Sequence, residues 1–326
     1  MPPNPPSPPS SRIRFWTGLA IACPVLLVWG VTFVNTKALL ADFSSLEILF
    51  LRFLMAWLAL WLLWPRPLKL LGGWREELLF LGAGLSGATV YQLLENLAIH
   101  FTNAGNVSIL VSICPIFTAL LSQWLLRERV LSLRFAAGFL VAAVGVVLVS
   151  LNGIRVFHFH PVGDVLALAS GLSWGFYSVL VSVLNRRRYP AVAAIRRVFF
   201  WALLSMLPLF AFAALRPDLA RALSCGLDLS PAANAARFAS PLNWLNLSFL
   251  GLLASGLCFV GWNAACDRLG TVRASVGIYL LPAITLLFAR LFLDESLTPE
   301  GALGAVVTVA GVVLSGRRKR QGPTAG

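Results

Sequence analysis

Glu95 is a carboxylic acid set in an apolar stretch, one helical turn after Tyr91 and next to Asn96. Residues four apart share a helix face, so Tyr91 and Glu95 can act on one volume. An acid inside a membrane-spanning helix costs about 3 kcal/mol unless it is paired or wetted, and is a functional candidate by default. Glu95 could hold a substrate amine or carry a proton; the plainer reading puts it near the outer end of its span, reaching the interface. Arg52 and Arg197 lie at equivalent places near the ends of two other spans, read as headgroup anchors, or as an anionic-substrate contact or a salt bridge near a gate. Arg196 points to a different face from Arg197 and reads as an interface anchor, and Glu47 and Arg52, five apart, make a poor pair within one helix. Trp29, Asn35, Trp174, Tyr177 and Tyr279 bring polar edges into apolar segments, as candidate cavity walls or as members of an interfacial belt.

These residues need elements to hold them in a membrane. The chain has 326 residues, 58% hydrophobic and 12% charged. Soluble domains carry about 25% charged residues, so the composition points to an all-α polytopic membrane protein. Spans of sufficient length are expected near 14–37, 46–64, 76–98, 103–126, 132–151, 162–184, 191–215, 243–266, 272–293 and 299–316. Residues 1–13 read as a disordered Pro/Ser-rich tail, 216–242 as an external linker, and 317–326 as a basic tail. With the N-terminus in the cytoplasm, the inner segments hold 17 Lys and Arg against 5 in the outer ones. That asymmetry places both termini inside, in a bacterial-type inner membrane. It also explains the formal charge of +13 without nucleic acid.

The chain contains one stretch twice. Shifting by 167 positions lays Cys258 to Glu295 on Tyr91 to Glu128, matching Asn96 with Asn263, Ser108 with Ser275, Pro115 with Pro282, Thr118 with Thr285 and Glu128 with Glu295. Trp262 then falls on Glu95, so Trp262 and Asn263 join the candidate cavity wall. Nearer the start of each half, Trp29-Gly30 matches Trp174-Gly175, and Arg52 matches Arg197. Five spans per half is an odd number, so the second half must cross the bilayer inverted. Paired, proline-interrupted segments of this kind point to a transporter built from repeats. Pro115 and Pro282, expected near mid-helix, would each free a carbonyl (Val111 or Ile278) and kink the helix around a central cavity. Gly138, Ala142 and Gly145, matched by Gly304, Thr308 and Gly311, let helices approach closely, as scaffold or as a homodimer contact.

These features carry a resemblance. Trp29-Gly30 with Phe33, Arg52-Phe53, Ala98 through Ser108, Pro115 to Thr118, the Glu128 turn, and Gly138 and Gly145 resemble the EamA-type domain of the drug/metabolite transporter superfamily. Trp174-Gly175, Arg197, Ala274-Ser275, Pro282, Glu295, Gly304 and Gly311 repeat that order in the second half. The resemblance implies ten transmembrane helices in two inverted five-helix repeats, at 14–151 and 162–316. It implies movement of small metabolites, often amino acids or relatives, frequently outward.

The expectation is a secondary transporter with a small-molecule substrate, a lipid environment and no cofactor, driven by proton coupling or by the substrate gradient alone. A multidrug or other metabolite permease of the same fold is the alternative. No GxxxxGK[ST] loop is present to bind ATP. An intramembrane lipid-modifying enzyme would need acid, base or metal ligands gathered at one depth, and no such cluster is visible. His158 and His160 lack a third ligand, and the five cysteines show no metal or disulfide spacing.

Overall fold

The structure, a computed structural model, describes residues 11–70, 72–101, 107, 110–127, 132–150, 161–228, 230–284, 287–288 and 299–316. Asn106, Ser108, Glu128, His158, His160, Thr285, Arg290 and Glu295 lie outside the described residues, so the readings placed on them are not addressed further. Among the described residues every regular element is a helix, without strands. Six helices are long and apolar enough to cross a membrane: α1 (Ser11–Leu39), α2 (Ser45–Leu63), α3 (Trp74–Phe101), α6 (Pro161–Asn185), α7 (Ala191–Leu215) and α8 (Pro241–Leu269). Among the described residues there are also four shorter apolar helices: α4 (Cys114–Leu126), α5 (Leu133–Ser150), α9 (Thr271–Ile284) and α10 (Pro299–Gly316).

Local chemistry sets several boundaries. Ser44 and Glu47 form a capping box that starts α2: the Ser44 hydroxyl accepts from the Glu47 amide, and Glu47 accepts from the Ser44 amide at 2.9 Å. Glu47 is completed by Arg237, whose guanidinium donates to it at 2.9 and 2.8 Å. Segment 216–242, read as a linker without chemistry, therefore holds two short helices (Pro217–Ala222 and Pro231–Ala239) and a cation that ties it to α2. Pro115 is not mid-helix. A turn at residues 112–113 ends the preceding segment, and Pro115 sits in the first turn of α4, where it removes no helical hydrogen bond. Pro282 follows a 3₁₀ stretch, Gly277–Leu280, that interrupts α9. Both prolines thus restart a broken helix rather than bend a continuous one.

The third helix of each half contains a π-helical stretch, Leu85–Val90 in α3 and Phe249–Leu257 in α8. The 167-residue shift carries the first inside the second. Wider turns spoil the regular hydrogen-bond ladder and release carbonyls. Each stretch passes one carbonyl to the first helix of the other half: Trp29 Nε1 donates to Ala254 at 3.0 Å, and Ser173 Oγ donates to Ser86 at 2.8 Å.

Packing interleaves the halves. α1 and α2 lie against α8, while α6 and α7 lie against α3, the same arrangement with the halves exchanged. Likewise α4 rests on α6 and α9 touches α1. Three helices meet their own repeat mates: α2 with α7, α4 with α9, and α5 with α10. In the last pair a Cβ on Gly145 would meet Thr308 and Gly304, and one on Gly311 would meet Ala142 and Gly138, so the chains pass in opposite directions. The matched small residues serve this contact within the chain. Two bundles result, α1–α2–α8–α9 and α3–α4–α6–α7, each drawn from both halves, with a seam between them.

Candidate functional site

Between the two bundles the seam holds a cavity of about 30 Å³. α1, α2, α8 and α9 contribute Trp29, Thr32, Arg52, Phe259, Ile278 and Leu281, and α3, α4 and α6 contribute Tyr91, Gln92, Glu95, Cys114 and Trp174 among others. The two broken helices bring Ile278 and Cys114 to the wall at the places where their ladders fail.

Arg52 does not reach the interface. It is 3% exposed, donates to Ser255 Oγ at 2.9 Å on its own bundle, and to Gln92 Oε1 at 2.5 Å on the other. Glu95, 6% exposed, also lies well inside the protein and shares the cavity wall with Tyr91 and Arg52. Among the described residues its Oε2 has no hydrogen-bond partner, and neither does Trp174 Nε1. Buried polar atoms left unpaired cost about 1–3 kcal/mol each, so two on one small cavity mark places for a ligand's own polar groups.

The rings of Trp29, Trp174, Tyr177, Phe259 and Trp262 form a layer on one side of the cavity. Trp29 stands 5.4 Å from Trp174, 5.7 Å from Phe259 and 5.1 Å from Trp262, centroid to centroid. Trp174 is also 4.9 Å from Tyr91 and 5.0 Å from Tyr177. Trp29 meets Trp174 and Phe259 edge-on and the other pairs are tilted; aromatic pairs stabilise beyond their buried area.

Of the candidates named from sequence, Trp29, Arg52, Tyr91, Glu95 and Trp174 line the cavity. Tyr177 and Trp262 stand behind it in the ring layer. Asn35 donates to Asn246 at 2.7 Å, between α1 and α8. Asn96 donates to the Ser45 carbonyl at 3.3 Å, and the Asn263 carbonyl accepts from Asn185 at 3.4 Å. Tyr279 packs on Phe139 in a separate apolar cluster. Arg197 pairs with Glu77, which also accepts from Trp201 at 2.7 Å. Despite their matched positions, Arg52 and Arg197 therefore serve different ends. Arg196, expected as an interface anchor, is buried and donates to the Trp64 and Arg66 carbonyls, fastening α7 to the end of α2. Thr32, Gln92, Cys114, Phe259 and Ser255 were not singled out from sequence. Gln92 beside Tyr91, a polar residue within a span, was the available signal.

Comparison with known proteins agrees with this picture. The family described as "EamA-like transporter family" matches residues 16–151 and 161–317. An "Uncharacterized transporter" of Archaeoglobus fulgidus is 30% identical over 91% of this chain and 96% of its own length. A "Probable terminal-alkyne amino-acid exporter" of Streptantibioticus cattleyicolor is 28% identical, over 72% of this chain and 71% of its own. A "Probable amino-acid metabolite efflux pump" of Escherichia coli is 26% identical over 90% and 93%. One solved crystal structure shares the fold with a TM-score of 0.68 at 20% identity, over 92% of this chain and 96% of that one.

Proposed function

Because this chain belongs to the EamA-like transporter family, and is a transporter and not an enzyme, we propose that it carries a small zwitterionic metabolite, an amino acid or close relative, by alternating access. The observation that carries this reading is the seam cavity, where a guanidinium and a carboxylate sit within electrostatic reach between aromatic walls. Arg52 would take the substrate carboxylate in a two-pronged contact, and Glu95 the ammonium. Trp174 Nε1 supplies a further donor. Ligand pockets run to about 300 Å³ or more, whereas about 30 Å³ holds a water or so. The described arrangement is thus occluded, and the two interleaved bundles must part along the seam to admit cargo. These bundles, not the two sequence halves, are the rocking bodies.

Outward transport across an inner membrane, with both termini cytoplasmic and ten crossings in two inverted repeats, completes the proposal. The antiparallel crossing of α5 and α10 supports the inversion, and the names of the exporter and efflux-pump relatives support the direction. A multidrug permease fits less well, because the largely apolar wall also carries two opposite charges, Arg52 and Glu95.

The test is uptake of individual radiolabelled L-amino acids into proteoliposomes preloaded with the same compound, with and without a pH gradient. Glu95→Gln and Arg52→Gln should each lower exchange of the transported compound about 10-fold or more, the loss expected for one charged hydrogen bond of about 1.5–3 kcal/mol. Wild-type rates in both variants would overturn the assignment. Loss of gradient dependence alone in Glu95→Gln would identify it as the proton carrier.

A further inference from the structure

Beyond the ring layer the same seam opens into a second pocket of about 610 Å³. α1 and α8 form one wall, and the α6–α7 connection forms the other. The lining carries Arg14, Arg188 and Arg268 against a single carboxylate, Asp267. Asp267 is already engaged: Arg14 Nη2 donates to its carboxylate at 3.2 Å and to its backbone carbonyl at 2.7 Å. Arg268 spends one donor on the Ala264 carbonyl at 2.7 Å and keeps the rest of its guanidinium fork. The pocket therefore has the charge of two arginines left over and room for a metabolite.

Asn185 and Asn263, which also line this pocket, join the two bundles through one long hydrogen bond of 3.4 Å. One residue away along α8 stands Trp262, against Trp29. Pocket and central cavity thus lie along one seam, with the Asn185–Asn263 contact and the ring layer between them. A concave site lined by one sign of charge raises the local concentration of the opposite ion.

Resting on the transport reading, we infer that this pocket is the inner vestibule of the transport path and binds the carboxylate of the substrate at Arg188 and Arg268 before the seam parts. The shared chemistry is recognition of an oxyanion by guanidinium, which a lipid phosphate would also satisfy, so the experiment separates the two.

A thiol is introduced by Thr17→Cys, a position on the vestibule wall whose hydroxyl bonds its own helix at Ile13. In phosphatidylcholine vesicles, its modification by an anionic methanethiosulfonate is compared with that by a cationic one. Each rate is divided by that for free glutathione and read at the peptide carrying residue 17. The anionic reagent should be favoured about 10-fold at low salt, and R188Q/R268Q should bring the ratio to about one. No preference in the parent protein overturns the inference. A preference that vanishes in phosphatidylglycerol vesicles assigns the pocket to lipid headgroups and overturns it as well.

In transport assays R188Q/R268Q should raise KM on the inner face about 10-fold and leave the outer KM unchanged. Uptake with an unmoved inner KM defeats the vestibule while sparing the transport reading. Absence of uptake by the parent protein defeats the transport reading, with the labelling ratio still legible.

Discussion

Trp29 and Trp174 occupy matched places in the two halves, and both reach the cavity, yet their indole N–H groups have different fates. Trp29 donates to the Ala254 carbonyl, whereas Trp174 Nε1 has no partner among the described residues. Phe substitution separates structure from recognition. Trp29→Phe leaves a buried carbonyl unpaired and should lower thermal stability, by about 1–3 kcal/mol. Trp174→Phe removes an N–H that no protein group uses, so the fold should tolerate it while apparent substrate affinity falls several-fold. A melting curve and a KM for each variant check the pair; equal loss of stability in both would sink the distinction. The sequence made these two tryptophans visible as repeat mates but not their divergence, because that depends on a carbonyl released by a π turn elsewhere. Asn96 and Asn263 teach the converse. They match perfectly in the repeat, yet one bonds beside the start of α2 and the other beside the end of α6. In the proposed inverted arrangement matched residues go to opposite faces, so only those near the middle of the membrane can share a site.

At the level of elements, the prolines were legible and their effect was not. Whether proline kinks a helix or begins one depends on whether the residues before it are helical, and residues 112–113 turn. The π stretches left a weaker trace in the sequence, as glycines. A Cβ on Gly87 would stand 2.2 Å from the Tyr177 ring, and one on Gly84 would stand 2.5 Å from the Val198 carbonyl. Gly251, the mate of Gly84, is held against α2 in the same way, with Met55 Cβ at 2.8 Å. Close approach by the neighbouring helix, not turn formation, is what these glycines permit. Gly87→Val should therefore force α3 off α6 and give a protein that elutes as aggregate in size-exclusion chromatography, overpacking of this kind costing about 1–3 kcal/mol or more. Gly73, which meets no atom within 4 Å but has φ of 61°, is a separate case, demanded by its backbone alone.

For the whole molecule, hydropathy and the internal repeat sufficed for the helical membrane architecture, and the doubled motif order for the family. The seam was hidden, because which helices touch is a property of three-dimensional exchange between halves and no local pattern encodes it. Arg52 illustrates the limit: a buried guanidinium bonded to Ser255 and Gln92 can be understood only once α2, α3 and α8 are seen together.

The exchange of helices between the bundles also constrains how the chain is made. α1 and α2 have their principal partner in α8, which leaves the ribosome long after them, and α3 waits for α6 and α7. During synthesis the first five helices can insert but cannot complete either bundle. They must sit in the membrane with polar groups such as Arg52 unmet, a state that quality-control proteases should recognise. Residues 1–151 expressed alone should accordingly be degraded within minutes in a pulse-chase experiment, and co-expression with residues 161–326 should rescue both fragments. Survival of the lone fragment would mean that the early helices find each other first and trade partners later.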